Sequence, residues 1–292
     1  MKIPLIFNDK AGVLKVAHHV GERQLRQASE AAGLDVDLVA TRSPEETRAA
    51  VRRYAEQGAA RVAVAGGDGT VALAVQALAH TETALGIIPT GTANNFAAAL
   101  RLPLDLPGAL RVMSEGEVIK VDLGKVGEHY FTESAGVGLF ADALSLYGLE
   151  RNKNLPRALY TFARILTSYR ARRLTLYADG ELHSERAVLC EVMNTYRTGA
   201  ALPLAPEAKL TDGRLEVVVM GDLQLGELWT YYRAVRSQLH RSLPKVHTFS
   251  AKEVRIEAGS KLNVHLDEKY LTTTPVTVSV DTAALRVLVE RL

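Results

Sequence analysis

The sequence predicts an α/β protein in two parts: a nucleotide-binding α/β domain with a parallel sheet, over residues 1–120, and a mainly antiparallel β-sandwich domain over residues 121–292. Three observations predict this. Short apolar runs alternate with amphipathic stretches in the first part, the pattern of strand–helix–strand units. Short strands crowd together in the second, which suits antiparallel sheets. The 292 residues also exceed what one compact core usually holds.

Each element follows from local chemistry. "IPLIF" is a buried strand, followed by the polar turn "NDKAG". A helix from Glu22 to Ala32 ends at Gly33, a residue that tolerates the left-handed conformation of a helix C-terminus. "LDVDLVA" alternates apolar and polar residues as a strand should. In "TRSPEE", Ser43 caps a helix, Pro44 suits its first position and Glu46 completes a capping box. "RVAVA" and "ALGIIP" are further strands. In the second part, "RLTLYADGELHSERAVLCEVM" forms a hairpin about Asp179-Gly180, and "RLEVVVMG", "EVRIEAG", "KLNVHLD", "PVTVSVD" and "LRVLVE" are short strands. The last strand is expected to pack back on the first domain. Two helical segments interrupt the strands, near 156–170 and 223–240.

Composition narrows the function classes. Formal net charge is only +2, so bulk charge gives no reason to expect nucleic acid as a partner. The single cysteine, Cys190, excludes an internal disulfide and a multi-cysteine zinc site, and its apolar run "AVLCEVM" places it in a core. No signal peptide or membrane span is evident, so a cytoplasmic protein is expected. The histidines lack metal spacing, and His265 alternates within a strand as a structural residue.

Two glycine-rich stretches carry the chemistry. "VAVAGGDGTVALAVQAL", Val62 to Leu78, runs a buried strand into Gly66-Gly67-Asp68-Gly69-Thr70 and then a helix. Glycines there let the backbone approach a phosphate, and the helix N-terminus offers free N–H groups and partial positive charge. Gly66, Gly67 and Gly69 could instead serve only as a tight turn. "GIIPTGTANNFA", Gly86 to Ala97, repeats the same logic around Gly91 and Thr92. With the turn from Asn8 to Gly12, three loops of small polar residues at strand ends suggest a polyphosphate cradle.

"GGDGT" followed by "PTGTANNFA", then "VDLGKV" and "PEAKLTDGRLEVVVM", resembles the diacylglycerol kinase catalytic-domain family in its bacterial lipid kinase branch, over nearly the whole chain. It is distantly similar to NAD kinases, which share "GGDGT". The resemblance implies ATP and Mg²⁺ as cofactors. It implies nucleotide contacts at Asn8, Asp9, Lys10, Ala11, Gly12, Thr41, Gly66, Gly67, Asp68, Gly69, Thr70, Val71, Ala72 and Thr92. It also implies a magnesium loop in which Asp212 gives its side chain and Lys209 and Arg214 their carbonyls; the plainer alternative for "TDG" is a hairpin turn. Asp122 would reach this ion through water, or simply end a strand.

The chain departs from the family pattern at several positions. Ala72 and Leu73 stand where Asn-Glu is frequent, and Asn95 stands where Asp is usual. The family's catalytic base is the Glu of an Asp-Gly-Glu turn, and the matching "NVHLDEKY" has no glycine. Aligned on Asp267, the base position falls on Lys269, which cannot accept a proton while charged. A one-residue shift places Glu268 there, with Asp267 as the second candidate and Asp68 helping to hold the metal network.

The acceptor implied is a lipid alcohol at a membrane surface. Between Arg151 and Arg173 the chain has seven Lys or Arg and no Asp or Glu, with Leu159, Phe162, Leu166 and Tyr169 at helical spacing. Such a basic segment, 151–173, suits reversible contact with the inner face of a membrane; a helix packed on the second domain is the plainer alternative. A homodimer is left open. The functional alternatives are an NAD kinase-like phosphotransferase and a non-catalytic nucleotide- or lipid-binding homologue that has lost its base.

Overall fold

A computed structural model describes residues 2–8, 21–148 and 170–291. Two compact units emerge: Met1–Leu123 with Thr282–Leu292, and Gly124–Asp281. The expected division after residue 120 falls three residues later, and the chain's last segment belongs to the first unit.

In the first unit, β1 (Ile3–Asn8), β2 (Val36–Thr41), β3 (Arg61–Gly66) and β4 (Ala84–Pro89) are parallel, and the end of β15 (Val276–Val289) joins β4 through Val287 and Leu85. The order is β2-β1-β3-β4-β15. Strand order therefore reverses between β1 and β3, and open α/β sheets bind ligands at the carboxyl ends of strands at such a reversal. Helices α1 (Glu22–Ala31) and α5 (Leu106–Glu115) pack together, as do α2 (Pro44–Glu56) and α3 (Asp68–Leu78). β1, β3 and β4 are buried on both faces, which is why they read as unbroken apolar runs, whereas edge strand β2 alternates.

Helix ends follow the sequence closely. Gly33 has φ +69° just past α1, and its N–H reaches the Glu30 carbonyl at 3.0 Å. Ser43 Oγ accepts the Glu46 N–H at 3.2 Å, but Glu46 returns its carboxylate to the Arg42 N–H at 2.7 Å rather than to Ser43. The box is thus closed one residue early. Ser43→Ala is expected to cost about 1 kcal/mol, seen as a lower denaturation midpoint for this unit in urea.

The second unit is antiparallel throughout. It is entered by β5 (Glu117–Val126), which pairs with β6 (His129–Phe131). Its main strands are β7 (Ser134–Gly138), β8 (Arg172–Ala178), β9 (Glu181–Met193), β10 (Leu215–Gly221), β11 (Val246–Ala251), β12 (Glu253–Ala258), β13 (Asn263–Leu266) and β14 (Lys269–Thr273). The order is β14-β13-β7-β9-β8-β12-β15, with β10 pairing to both β9 and β11. The predicted hairpin joins β8 and β9 with both turn residues at positive φ, Asp179 at 48° and Gly180 at 89°. Asp179 does more than turn the chain: its Oδ1 accepts the N–H groups of Lys252 and Glu253, both at 2.9 Å, fastening the turn to β12.

Val192, Leu176, Val217, Val254 and Val264 meet in one apolar core, together with Cys190, whose thiol burial pushes far above its ordinary range. A second core lies under α7 (Leu228–Arg236), which contributes Tyr231 and Val235. The helix expected over 223–240 is thus shorter, flanked by single 3₁₀ turns at Leu225–Glu227 and His240–Ser242. An additional helix, α6 (Leu139–Gly148), packs against β7, β13 and β14. Its residues are apolar nearly all round, so no helical period marks it. The helix expected near 156–170 lies outside the described residues, apart from Arg170.

Candidate active site

The first construction belongs to the first unit. β3 ends at Gly66, Gly67 caps α3, and α3 begins at Asp68. β4 ends at Pro89, and its loop leads to the short helix α4 (Asn95–Ala99). These two loops touch backbone to backbone. A Cβ on Gly67 would lie 3.0 Å from the Gly91 Cα, and one on Gly91 would lie 2.5 Å from the Gly67 Cα. Thr90 N–H donates to the Gly66 carbonyl at 3.0 Å. Asn94, itself left-handed at φ 49°, closes the second loop by accepting the Gly91 N–H and donating to the Gly91 carbonyl, at 3.0 and 2.9 Å.

Asp68 completes the join. It is buried, and its Oδ1 accepts the Phe96 N–H at 3.3 Å, so the start of α3 holds the start of α4. Gly69 contrasts with its neighbours: a side chain there would enter open space. The exposed residues of the pair of loops are Gly69 and Thr92, while Val71 is in the core and Ala72 is half-buried. The result is a rigid floor of backbone with one open position at a helix N-terminus, where a phosphate would meet N–H groups and partial positive charge. The residues present fit an ATP polyphosphate on that ground.

The other expected nucleotide residues are placed as follows. Asn8 ends β1 opposite Thr41. Thr41 is buried, and its hydroxyl is engaged with the Phe7 carbonyl at 3.1 Å and the Thr47 hydroxyl at 2.8 Å. Asp9, Lys10, Ala11 and Gly12 lie outside the described residues. Asp122, within β5, accepts the Ala283 N–H at 2.8 Å.

The second construction belongs to the second unit. β13 turns into β14 through two residues, Asp267 and Glu268, with Leu266 opposite Lys269. Asp267 is left-handed at φ 46° and turns its carboxylate inward. Oδ2 accepts from the Thr132 N–H and hydroxyl, both at 3.1 Å; Oδ1 accepts from the N–H groups of Glu133 and Ser134 at 2.8 and 3.2 Å. Burial pushes this carboxyl upward, against the pull of those four bonds. Glu268 and Lys269 are exposed at the turn.

Behind the turn lies a pair that sequence reasoning did not find. His265 and Glu191 are both buried, and His265 Nε2 lies 2.9 Å from each Glu191 carboxylate oxygen. His265 Nδ1 lies 2.9 Å from the Asp267 carbonyl, which can only accept. Both ring nitrogens thus face oxygens, an arrangement that an imidazolium can satisfy by donating from each. Burial alone would push His265 down; the charge and hydrogen bond of Glu191, with the Asp267 carbonyl, outweigh it and raise it. The available signal was Glu191 itself, a lone acid in the apolar run "LCEVM". A second buried carboxylate, Glu133, accepts the Gly199 N–H at 3.0 Å.

The expected magnesium loop is a turn before β10. Asp212 is exposed, and its Oδ1 accepts the Arg214 N–H at 3.1 Å. The Arg214 guanidinium is committed elsewhere, to Ser250 Oγ at 2.7 Å and the Ser250 carbonyl at 2.6 Å. Only its main-chain carbonyl could face a cation, as for Lys209. One carboxylate and two carbonyls are hard oxygen donors that fit a largely hydrated Mg²⁺. Among the described residues no group of three or more His, Cys, Asp or Glu is placed to hold a metal ion.

Comparison with known proteins agrees with this layout. The "Diacylglycerol kinase catalytic domain" family matches residues 2–126, and the "YegS C-terminal NAD kinase beta sandwich-like domain" family matches residues 141–289. A diacylglycerol kinase of Staphylococcus saprophyticus is 29% identical over 249 residues, covering 82% of this chain and 80% of the relative. One from Staphylococcus aureus is 30% identical over 249 residues, covering 82% and 78%. A crystal structure of a diacylglycerol kinase from Bacillus anthracis shares the fold, with a TM-score of 0.75 at 21% identity over 99% of this chain and 97% of that one. With its glycine-joined loops, its sandwich unit and these relatives, the chain belongs to the diacylglycerol kinase family of lipid kinases.

Proposed function

We propose that the protein transfers the γ-phosphoryl group of ATP to a hydroxyl of diacylglycerol or a related lipid alcohol, with Mg²⁺. The observation that carries this reading is the contact between the Gly67 and Gly91 loops, which leaves Gly69 open at the head of α3. The N–H groups there would bind and orient the phosphates, and Gly67 and Gly91 would keep the floor flat. Glu268 would accept the proton of the acceptor hydroxyl. Asp267, saturated by four donors, would position the turn. Asp212 with the Lys209 and Arg214 carbonyls would hold Mg²⁺, which when bound offsets negative charge near the phosphates.

The test uses purified protein, γ-labelled ATP, Mg²⁺ and mixed micelles carrying a panel of diacylglycerols, sphingoid bases and other long-chain alcohols. Label entering one lipid class is expected. Label entering NAD instead would favour the NAD kinase-like alternative. ATP bound in the micromolar range with no transfer to any acceptor would favour a non-catalytic homologue, a reading that Lys269 at the start of β14 keeps in view.

A further inference from the structure

The face of α7 opposite its buried side has an unusual composition. Tyr231 and Val235 fill the core beneath, while Trp229, Tyr232, Arg233 and Arg236 recur at helical spacing on the outside. Trp229 is 66% exposed and Tyr232 47%, and their rings stack at 5.6 Å. Leu239, just beyond the helix, is 65% exposed. A soluble surface rarely gathers a tryptophan, a tyrosine and a leucine in one exposed group without a partner for them.

The charges around this group are one-sided. From Leu228 to Lys252 the chain has five Lys or Arg and no Asp or Glu. The flanking acids are engaged: Glu227 with Lys245 at 2.6 Å, Asp222 with Arg186 at 3.6 Å, and Glu207 with Arg241. Arg233 and Arg236 have no ion-pair partner among the described residues. A second copy meeting this face about a twofold axis would set like charge against like. An anionic bilayer offers the complementary arrangement: rings with a polar edge settle at headgroup level, and arginines reach the phosphates while their stems lie on apolar surface.

We propose that the outward face of α7, with Trp229, Tyr232, Arg233, Arg236 and Leu239, docks on an anionic lipid bilayer. The bilayer as occupant rests on the lipid-kinase reading, since an acceptor with acyl chains lies in a membrane. In sequence the site lies apart from the basic segment 151–173, most of which lies outside the described residues.

Trp229 is the chain's only tryptophan, so its fluorescence reports on this face alone. With phosphatidylglycerol vesicles the emission is expected to shift to shorter wavelength, and lipids brominated along their acyl chains should quench it. Phosphatidylcholine vesicles should do much less. Arg233→Glu with Arg236→Glu, both at exposed positions, is expected to weaken vesicle binding roughly tenfold or more. Co-sedimentation with vesicles while the emission stays unchanged would overturn the proposal, as would undiminished binding by the double variant. So would an emission shift that follows protein concentration without vesicles and accompanies a doubled mass. Micelle assays separate the two readings: a blue shift without lipid phosphorylation removes the kinase and keeps the docking face, and phosphorylation without the shift does the reverse.

Discussion

Glu268→Gln is expected to lower phosphoryl transfer by roughly 10²–10⁴-fold while leaving ATP affinity unchanged and the denaturation midpoint closer to native than Asp267→Asn does. The reason lies in how the β13–β14 turn divides its residues. Asp267 has both carboxylate oxygens occupied by donors from residues 132–134, so no lone pair is positioned for an incoming hydroxyl. Glu268 is exposed one residue on, and Lys269 begins the next strand. Removing the Glu268 charge would remove the proposed proton acceptor while the four bonds that hold Asp267 stay in place. Asp267→Asn should behave in the opposite way. An amide nitrogen would face N–H groups where an oxygen now accepts them, and a buried clash of donors costs about 1–3 kcal/mol. Its midpoint should fall together with its activity. If Glu268→Gln retains full transfer, the base lies elsewhere in the chain; if Asp267→Asn is as stable as the native protein, the four-donor anchor is not what holds the turn.

A second contrast separates floor from ligand in the first unit. Gly91→Ala is expected to lose both stability and nucleotide affinity, because its Cβ would stand 2.5 Å from the Gly67 Cα and force the two loops apart. A misplacement of about 1 Å in a site of this kind costs on the order of 10²-fold. Gly69→Ala has open space around its Cβ and lies in the first turn of α3, where alanine suits a helix. That variant should keep or raise the midpoint and still bind ATP more weakly, a combination that isothermal calorimetry beside thermal melts can resolve.

What was legible in the sequence was what is local. Gly66 to Thr70 and Thr90 to Asn94 announced themselves because a strand, a small-residue turn and a helix start are contiguous, and the parallel order followed from their repetition. The Asp179-Gly180 turn was legible for the same reason. What stayed hidden joins residues far apart in the chain. The Asp68 bond to Phe96 requires knowing that two strand ends are neighbours. The bonds from residues 132–134 to Asp267 span most of the second unit, and depend on β13 lying beside β7. The pairing of Leu266 with Lys269, which makes Asp267 and Glu268 the two turn residues, is likewise not readable from "NVHLDEKY" alone. A lone Glu in a strand and a lone His in another carry no sign of each other until β7, which lies between them in the sheet, is in place.

That pair, Glu191 and His265, leads to the expectation that the second unit is most stable on the acid side of neutrality. His265 is raised in the folded state above its ordinary value near 6.5, so its contribution is fully present below about pH 6.5 and is lost as pH rises through the folded value. Glu191→Ala should cost about 3–5 kcal/mol at pH 6, because it leaves a buried imidazolium without its counter-charge. Glu191→Gln keeps the shape that fits against Gly136, where a Cβ would come within 2.4 Å of the carboxylate. Its expected signature is a smaller loss and a flatter dependence on pH, since the neutral amide no longer holds the ring charged. Urea unfolding followed by circular dichroism from pH 6 to pH 9 tests both variants beside the native protein. A Glu191→Ala variant as stable as the native chain, or equal slopes against pH for native and Glu191→Gln, would remove the ion pair from the account. Whatever the slopes, the ring also bears on the turn. Nδ1 of the ring meets the Asp267 carbonyl at 2.9 Å while Nε2 meets Glu191, so the backbone that presents Glu268 is tied through one buried ring to the β9 carboxylate.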